Sequence, residues 1–213
     1  MNSYLDHIIW ACADLEYGSR RFEVLTGVRP RYGGVHASGL THNALVGLGS
    51  RCYLEILAPV GPAGLNDDNW CRLARAAQEP RIFTYCLRSP RPLSELASTF
   101  QAFGWKNAVV ASNGRTTPEG VRLRWQWLAP TAERFDFAFP FFIDWLDSPH
   151  PAETLGVAPP ESGILLRDFA VGHPDATELS RTLRQIGSTV ETYAHDDVQF
   201  RVQLQTPLGA VSL

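Results

Sequence analysis

Two short apolar segments each carry one side chain able to bind a metal or move a proton. Leu5-Asp6-His7-Ile8-Ile9-Trp10 holds His7, and Cys52-Tyr53-Leu54-Glu55-Ile56-Leu57 holds Glu55. Both read as strands, so alternation sets His7 on a face with Leu5 and Ile9, and Glu55 on a face with Tyr53 and Leu57. A carboxylate among apolar neighbours loses much of its solvation unless it is paired, protonated or bound to a cation. Glu55 therefore needs a partner. His7 is one candidate; Arg122 and Arg124, which share a face of a later strand-like run, are the competing ones. An imidazole in an apolar strand can equally be a hydrogen-bonded core residue.

A second pair of imidazoles, His36 and His42, flanks a glycine-containing loop. Their separation matches no usual local metal-ligand spacing. The loop is expected to order itself through Thr41 and Asn43 and to close over the mouth of a site as a lid, with His36 or His42 as general base or hydrogen-bond donor to a substrate. His150, His173 and His195 stand beside proline or aspartate in turn-like segments and receive no function. Phe135, Phe137, Phe139 and Phe141 alternate strictly; they read as sheet core, or as one wall of an apolar pocket for a hydrophobic or aromatic ligand. The four cysteines, Cys12, Cys52, Cys71 and Cys86, form no C-x-x-C pair and read as free buried thiols. No G-x-S-x-G elbow, P-loop or G-x-G-x-x-G turn is present.

The elements that must position these groups come from a repeat. The 213 residues, 45% hydrophobic and 19% charged, suffice for one large domain or two small ones. A net charge of −3 with scattered arginines argues against a nucleic-acid partner. No apolar run approaches the roughly 20 residues that span a bilayer, and no signal-peptide pattern opens the chain. A cytoplasmic location is expected. From the start, strand, helix (Asp14 to Gly27), and three strands (Arg31 to Val35, Asn43 to Leu48, and the Tyr53 run ending at Pro59) give the order β-α-β-β-β. The order recurs. Ile82 to Leu87, a helix over Pro92 to Phe103, extended segments at Ala108 to Ala111 and Val121 to Leu128, and Phe141 to Trp145 form a second unit. A third, shorter βαβββ-like unit covers 163–213. The expected division is thus 1–59, a connector at 60–80 with a short helix around Trp70 to Ala77, 81–147, and 163–213, with a proline-rich loop at 148–162. Aligning Tyr53-Leu54-Glu55 with Phe142-Ile143-Asp144 puts Asp144 in the place of Glu55.

The run from Gly33 to Leu45, followed by Tyr53-Leu54-Glu55, resembles the glyoxalase-like group of the vicinal-oxygen-chelate superfamily, which also holds bleomycin-resistance proteins and dioxygenases. Leu5-Asp6-His7, Leu25-Thr26-Gly27-Val28, and Pro140 to Trp145 with His150-Pro151 support the likeness, which extends to about residue 151. The resemblance implies an α+β fold of repeated βαβββ modules whose curled mixed sheets form a cup. It further implies a divalent metal (zinc, iron, manganese or nickel) held by first- and last-strand residues of two modules. Carried over, these are His7, Glu55 and Asp144; the fourth corner falls in Phe83-Thr84-Tyr85 and offers only a weak oxygen donor. Such a metal would polarise vicinal oxygens of a small organic substrate, giving a lyase, isomerase or dioxygenase. The alternative is a metal-free small-molecule binder of the bleomycin-resistance type. A homodimer that swaps the third unit is a further expectation.

Overall fold

The computed structural model describes residues 2–63, 68–131, 133–154 and 163–213. The first unit holds strand β1 (Tyr4–Ala11), helix α1 (Leu15–Thr26) and strands β2 (Arg31–Val35), β3 (Thr41–Gly47) and β4 (Tyr53–Pro59). Asp14 caps α1 by accepting the Tyr17 N–H at 2.7 Å, and Gly27, at φ 76°, ends it in the left-handed region. Helix α2 (Asn69–Ala76) follows, then β5 (Arg81–Arg88), α3 (Leu93–Ala102), β6 (Ala111–Thr116), β7 (Arg122–Leu128) and β8 (Phe141–Asp144). After the one-turn helix α4 (Pro151–Thr154) come β9 (Leu165–His173), α5 (Ala176–Gln185), β10 (Glu191–Ala194), β11 (Gln199–Thr206) and β12 (Gly209–Ser212). No helix among the described residues is long and apolar enough to cross a membrane.

The first two units pair identically. Each first strand lies parallel to its own last strand, β1 with β4 and β5 with β8, and β1 and β5 meet antiparallel at the centre. The result is one eight-stranded sheet in the order β2-β3-β4-β1-β5-β8-β7-β6. It curls until its two edges touch: Ala37 N–H donates to Gly114 O at 2.8 Å, and His36 bridges to Arg115. Gly34, at φ 124°, sits where an added Cβ would lie 2.5 Å from Thr116 O, so the closure needs glycine there. This nearly closed sheet is the cup expected of the fold.

Alternation sorts the strands. Ile8, Trp10, Leu54 and Ile56 face outward onto α1 and the third unit, while His7, Ile9, Tyr53, Glu55 and Leu57 face inward. The third unit covers the outer face of the cup: Val171, Leu179 and Leu183 join Tyr85, Leu87 and Phe100, and Val202 and Leu204 join Ile8 and Leu54.

Three expectations change. The third unit keeps the β-α-β-β-β order but not the pairing, because β9 lies between β10 and β11 in a four-stranded sheet β10-β9-β11-β12 rather than beside its own last strand. It forms no half of the cup. The strict Phe135 to Phe141 alternation is not one strand face: a 3-10 turn at Asp136–Ala138 sends Phe135 and Phe139 into the core around α3 while Phe137 and Phe141 pack towards the cup. The second edge strand begins at Ala111, where the extended segment was expected to end. All four cysteines are free. Part of the 148–162 loop, residues 155–162, lies outside the described residues.

Candidate functional site

The cup encloses about 510 Å³, within the range of small-molecule sites. Its wall is aromatic, from Tyr53, Trp70, Trp125, Trp127, Phe141 and Trp145, and its polar lining includes His7, His36, Asn43, Glu55 and Arg115. His7 and Glu55 meet in it, as the strand faces require. His7 Nε2 stands 3.6 Å from Glu55 Oε2, and the two side chains are nearly sealed from solvent.

Behind His7 lies a carboxylate that alternation would have sent to the opposite face. A β-bulge between Leu5 and His7 turns Asp6 to the same side. His7 Nδ1 donates to Asp6 Oδ1 at 2.7 Å, and His150 Nε2 donates to Asp6 Oδ2 at 3.1 Å. Trp145 Nε1 adds a third donor at 3.2 Å. His150 is itself oriented, since its Nδ1 accepts the Ala152 N–H at 3.1 Å and leaves the proton on Nε2. Burial by itself would raise the Asp6 carboxyl; hydrogen bonds from His150 and His7, and their charges, outweigh it and hold the group at about 2. An ionised Asp6 makes the His7 Nδ1 a donor and turns Nε2 towards Glu55 and the cup. The ring is held flat by Tyr53, stacked at 4.6 Å, and edge-on by Phe141 at 5.3 Å.

Glu55 is only 6% exposed and finds its partners within the first unit. Asn43 Nδ2 donates to Oε1 at 2.8 Å, and His36 Nε2 lies 3.6 Å from the same oxygen. Turning its NH₂ to Glu55 leaves the Asn43 Oδ1 without a hydrogen-bond partner. His36 is anchored through Nδ1 to Thr41 Oγ1 at 2.7 Å; burial pulls its pKa down against the opposing Glu55 charge, so it stays neutral near pH 7. The expected loop hydrogen bonds of Thr41 and Asn43 therefore run to His36 and Glu55. The loop forms part of the cup wall through His36, Ala37 and Ser38. Neither Arg122 nor Arg124 pairs with Glu55: both face outward, and Arg124 binds Asp147 at 2.9 Å on the surface. Burial raises the Tyr53 hydroxyl well above its usual range, which keeps it a neutral donor at the cup wall.

Two expected site residues lie elsewhere. His42 alternates outward from Thr41 and Asn43 and packs edge-on against Tyr32 at 6.2 Å, half-buried and outside the cup. Asp144 also points away: Phe141 and Ile143 line the cup, and Asp144 accepts the Leu146 N–H at 3.0 Å beyond the end of β8. The sequence alignment that put Asp144 opposite Glu55 is out by three residues. Opposite β1, Ile9 pairs with Thr84 and His7 with Cys86, so the local two-fold exchanges His7 with Thr84 and Ile9 with Cys86. Glu55 is the β4 neighbour of Ile9, and Phe141 the β8 neighbour of Cys86. Phe141 thus holds the corner that Glu55 holds in the first unit.

The four corners are His7, Glu55, Thr84 and Phe141, and Thr84 Oγ1 already donates to Phe137 O at 3.1 Å. That set supplies two metal ligands in place of four. Among the described residues only Asp6, His7 and Cys86 bring three ligand-type atoms within 4.8 Å of one another. There the acid is saturated by hydrogen bonds, and burial pushes the Cys86 thiol well above its usual range. His7 and His36 approach opposite oxygens of Glu55 and do not close on a common point. The donors present do not fit the superfamily's four-cornered chelate.

Comparison with known proteins agrees with this architecture. The family described as "Glyoxalase-like domain" matches residues 5–187, and the chain belongs to that family, within the vicinal-oxygen-chelate superfamily whose members commonly bind divalent metals. Among solved structures, a hypothetical protein from Staphylococcus aureus is similar over 92% of this chain and 88% of its own, at 14% identity and a TM-score of 0.69. A Streptomyces coelicolor methylmalonyl-CoA epimerase bound to 2-nitronate-propionyl-CoA is 16% identical over 67% of this chain and 97% of its own, with a TM-score of 0.48. Likeness at these identities concerns the fold alone. No curated protein matches the chain.

Sequence reasoning missed Asp6, His150 and Arg115, and gave Asn43 to the loop and not to Glu55. Asp6 was hidden by the bulge, which no residue type announces. His150-Pro151 was visible as part of the family likeness, but its role arises from a contact with Asp6 across 144 positions of chain.

Proposed function

We propose that this protein is a lyase or isomerase that moves a proton at carbon next to a carbonyl in a small organic substrate, with His7 as the proton carrier. The observation that carries this reading is the Asp6–His7–Glu55 row: one carboxylate 2.7 Å from Nδ1, the other 3.6 Å from Nε2, at the wall of an aromatic cup. An imidazole held by a buried carboxylate takes a proton on its free nitrogen without having to reorient, and the imidazolium so formed faces Asp6 on one side and Glu55 on the other. Asn43 fixes Glu55 by donating to its Oε1. No step runs through a metal, because the corners hold Thr84 and Phe141.

Proton exchange tests it. Purified protein is incubated in D₂O with 2-hydroxyacetophenone and with phenylpyruvate, and loss of the C–H signal is followed by proton NMR. Exchange at least 100-fold above buffer with one of them, reduced at least 100-fold in Glu55→Gln and His7→Gln, is expected. No acceleration with either compound, or acceleration indifferent to both substitutions, refutes it. The metal-free binder is the second reading, favoured by the two apolar or weak corners; tight binding of these compounds without exchange would select it.

A further inference from the structure

Arg115 is a cation that the cup surrounds and the proposed proton transfer does not use. It comes from β6, the far edge of the sheet, and is only 6% exposed. One nitrogen, Nη1, donates to Gly33 O across the closure of the cup. Among the described residues no carboxylate hydrogen-bonds to it; Glu55 and Glu119 act on it only through space. Glu119 is engaged with Arg31 at 2.5 Å, and Glu55 with Asn43. A guanidinium buried without a carboxylate is an uncompensated charge, and its planar fork matches a carboxylate in two-point contact.

The surroundings narrow the ligand. Arg115 lines the same cavity as Trp125, Trp127 and Phe141, and Ser112 and Asn113 stand beside it in the wall. Tyr53 lines the same cavity, and burial keeps its hydroxyl protonated. A single guanidinium with Glu55 in its field suits one negative charge, and a doubly charged phosphate would meet that carboxylate with too little positive charge. We propose that the cup takes a small aromatic carboxylate, its carboxylate bound by Arg115 and the Tyr53 hydroxyl and its ring set among Trp125, Trp127 and Phe141. The proposal deepens the reading of this cup as the reaction site and rests on it.

Calorimetric titration of the whole chain with three matched probes, 2-naphthoate, 2-naphthamide and 2-naphthyl phosphate, tests it. Wild-type protein is expected to bind the carboxylate at least ten-fold more tightly than the amide, and more tightly than the phosphate. Equal binding of carboxylate and amide, or tighter binding of the phosphate, overturns the proposal. Arg115→Gln is expected to bring carboxylate and amide within three-fold of each other. Because Arg115 also helps to close the cup, Arg115→Lys, which keeps a cation able to reach Gly33 O, is measured alongside; the ammonium lacks the fork and should lose most of the preference. A preference undiminished in either folded variant overturns the assignment to Arg115. Carboxylate preference without deuterium exchange would sink the proposed reaction and leave this site standing, whereas exchange without the preference would do the reverse.

Discussion

Replacing Asp6 by Asn removes the charge on which His7 and His150 both depend, and its consequence can be worked out as a function of pH. Holding the carboxyl at about 2, against an ordinary value of 3.8, contributes about 2 kcal/mol of stability at neutral pH. The folded-state value is the lower one, so the contribution is complete above about pH 5 and disappears as pH falls through the folded-state value. Weakening of the three charge-assisted hydrogen bonds from His7, His150 and Trp145 brings the total cost of Asp6→Asn to about 3 kcal/mol at pH 7. Urea unfolding followed by circular dichroism at pH 7, 3 and 2 measures it. The gap between wild type and variant should narrow by about 1 kcal/mol at pH 3 and by about 2 kcal/mol at pH 2. Acids that do not touch Asp6 titrate in both proteins and cancel in the difference. A gap that stays constant across this range would refute the charge assignment, whatever its size at pH 7. Nitrogen-15 NMR of the imidazoles adds a second check: His7 should carry its proton on Nδ1 in the wild type and lose that bias in the variant.

Three shorter predictions test other parts of the geometry. His42→Ala should leave ligand affinity and exchange rate within two-fold of wild type in the assays above, because His42 lies outside the cup; a ten-fold loss would contradict its placement. Gly34→Ala should cost at least about 1 kcal/mol in thermal or urea unfolding and weaken ligand binding, since the new Cβ would meet Thr116 O where the sheet edges join. Thr84→His combined with Phe141→Glu would complete the four-cornered donor set and should confer zinc or nickel binding at least ten-fold tighter than wild type in elemental analysis after dialysis; unchanged metal content would show that the strand register has been misassigned.

The sequence by itself determined the two cup-forming units and the inward placement of His7 and Glu55. Local signals suffice for that: Asp14 and Gly27 bound a helix, alternation places His7 and Glu55 on inward faces, and the repeated β-α-β-β-β order builds two equivalent half-cups. The order of elements could not reveal that β9 pairs with β10 and β11, because pairing of the third unit is set by how its apolar faces cover the outside of the cup. Likewise a sequence alignment of the two units takes Asp144 for Glu55's counterpart, while the hydrogen-bonded register between β5 and β8 gives that corner to Phe141. Residues far apart in the chain were invisible for the same reason. Asp6 joins His7 only because a bulge breaks the alternation, His150 reaches Asp6 from just beyond the second unit, and Arg115 enters the cup only when the two edges of the sheet meet. Propensity and periodicity act within a few residues, whereas the charges that define this cup are brought together by long-range pairing and curvature of the sheet.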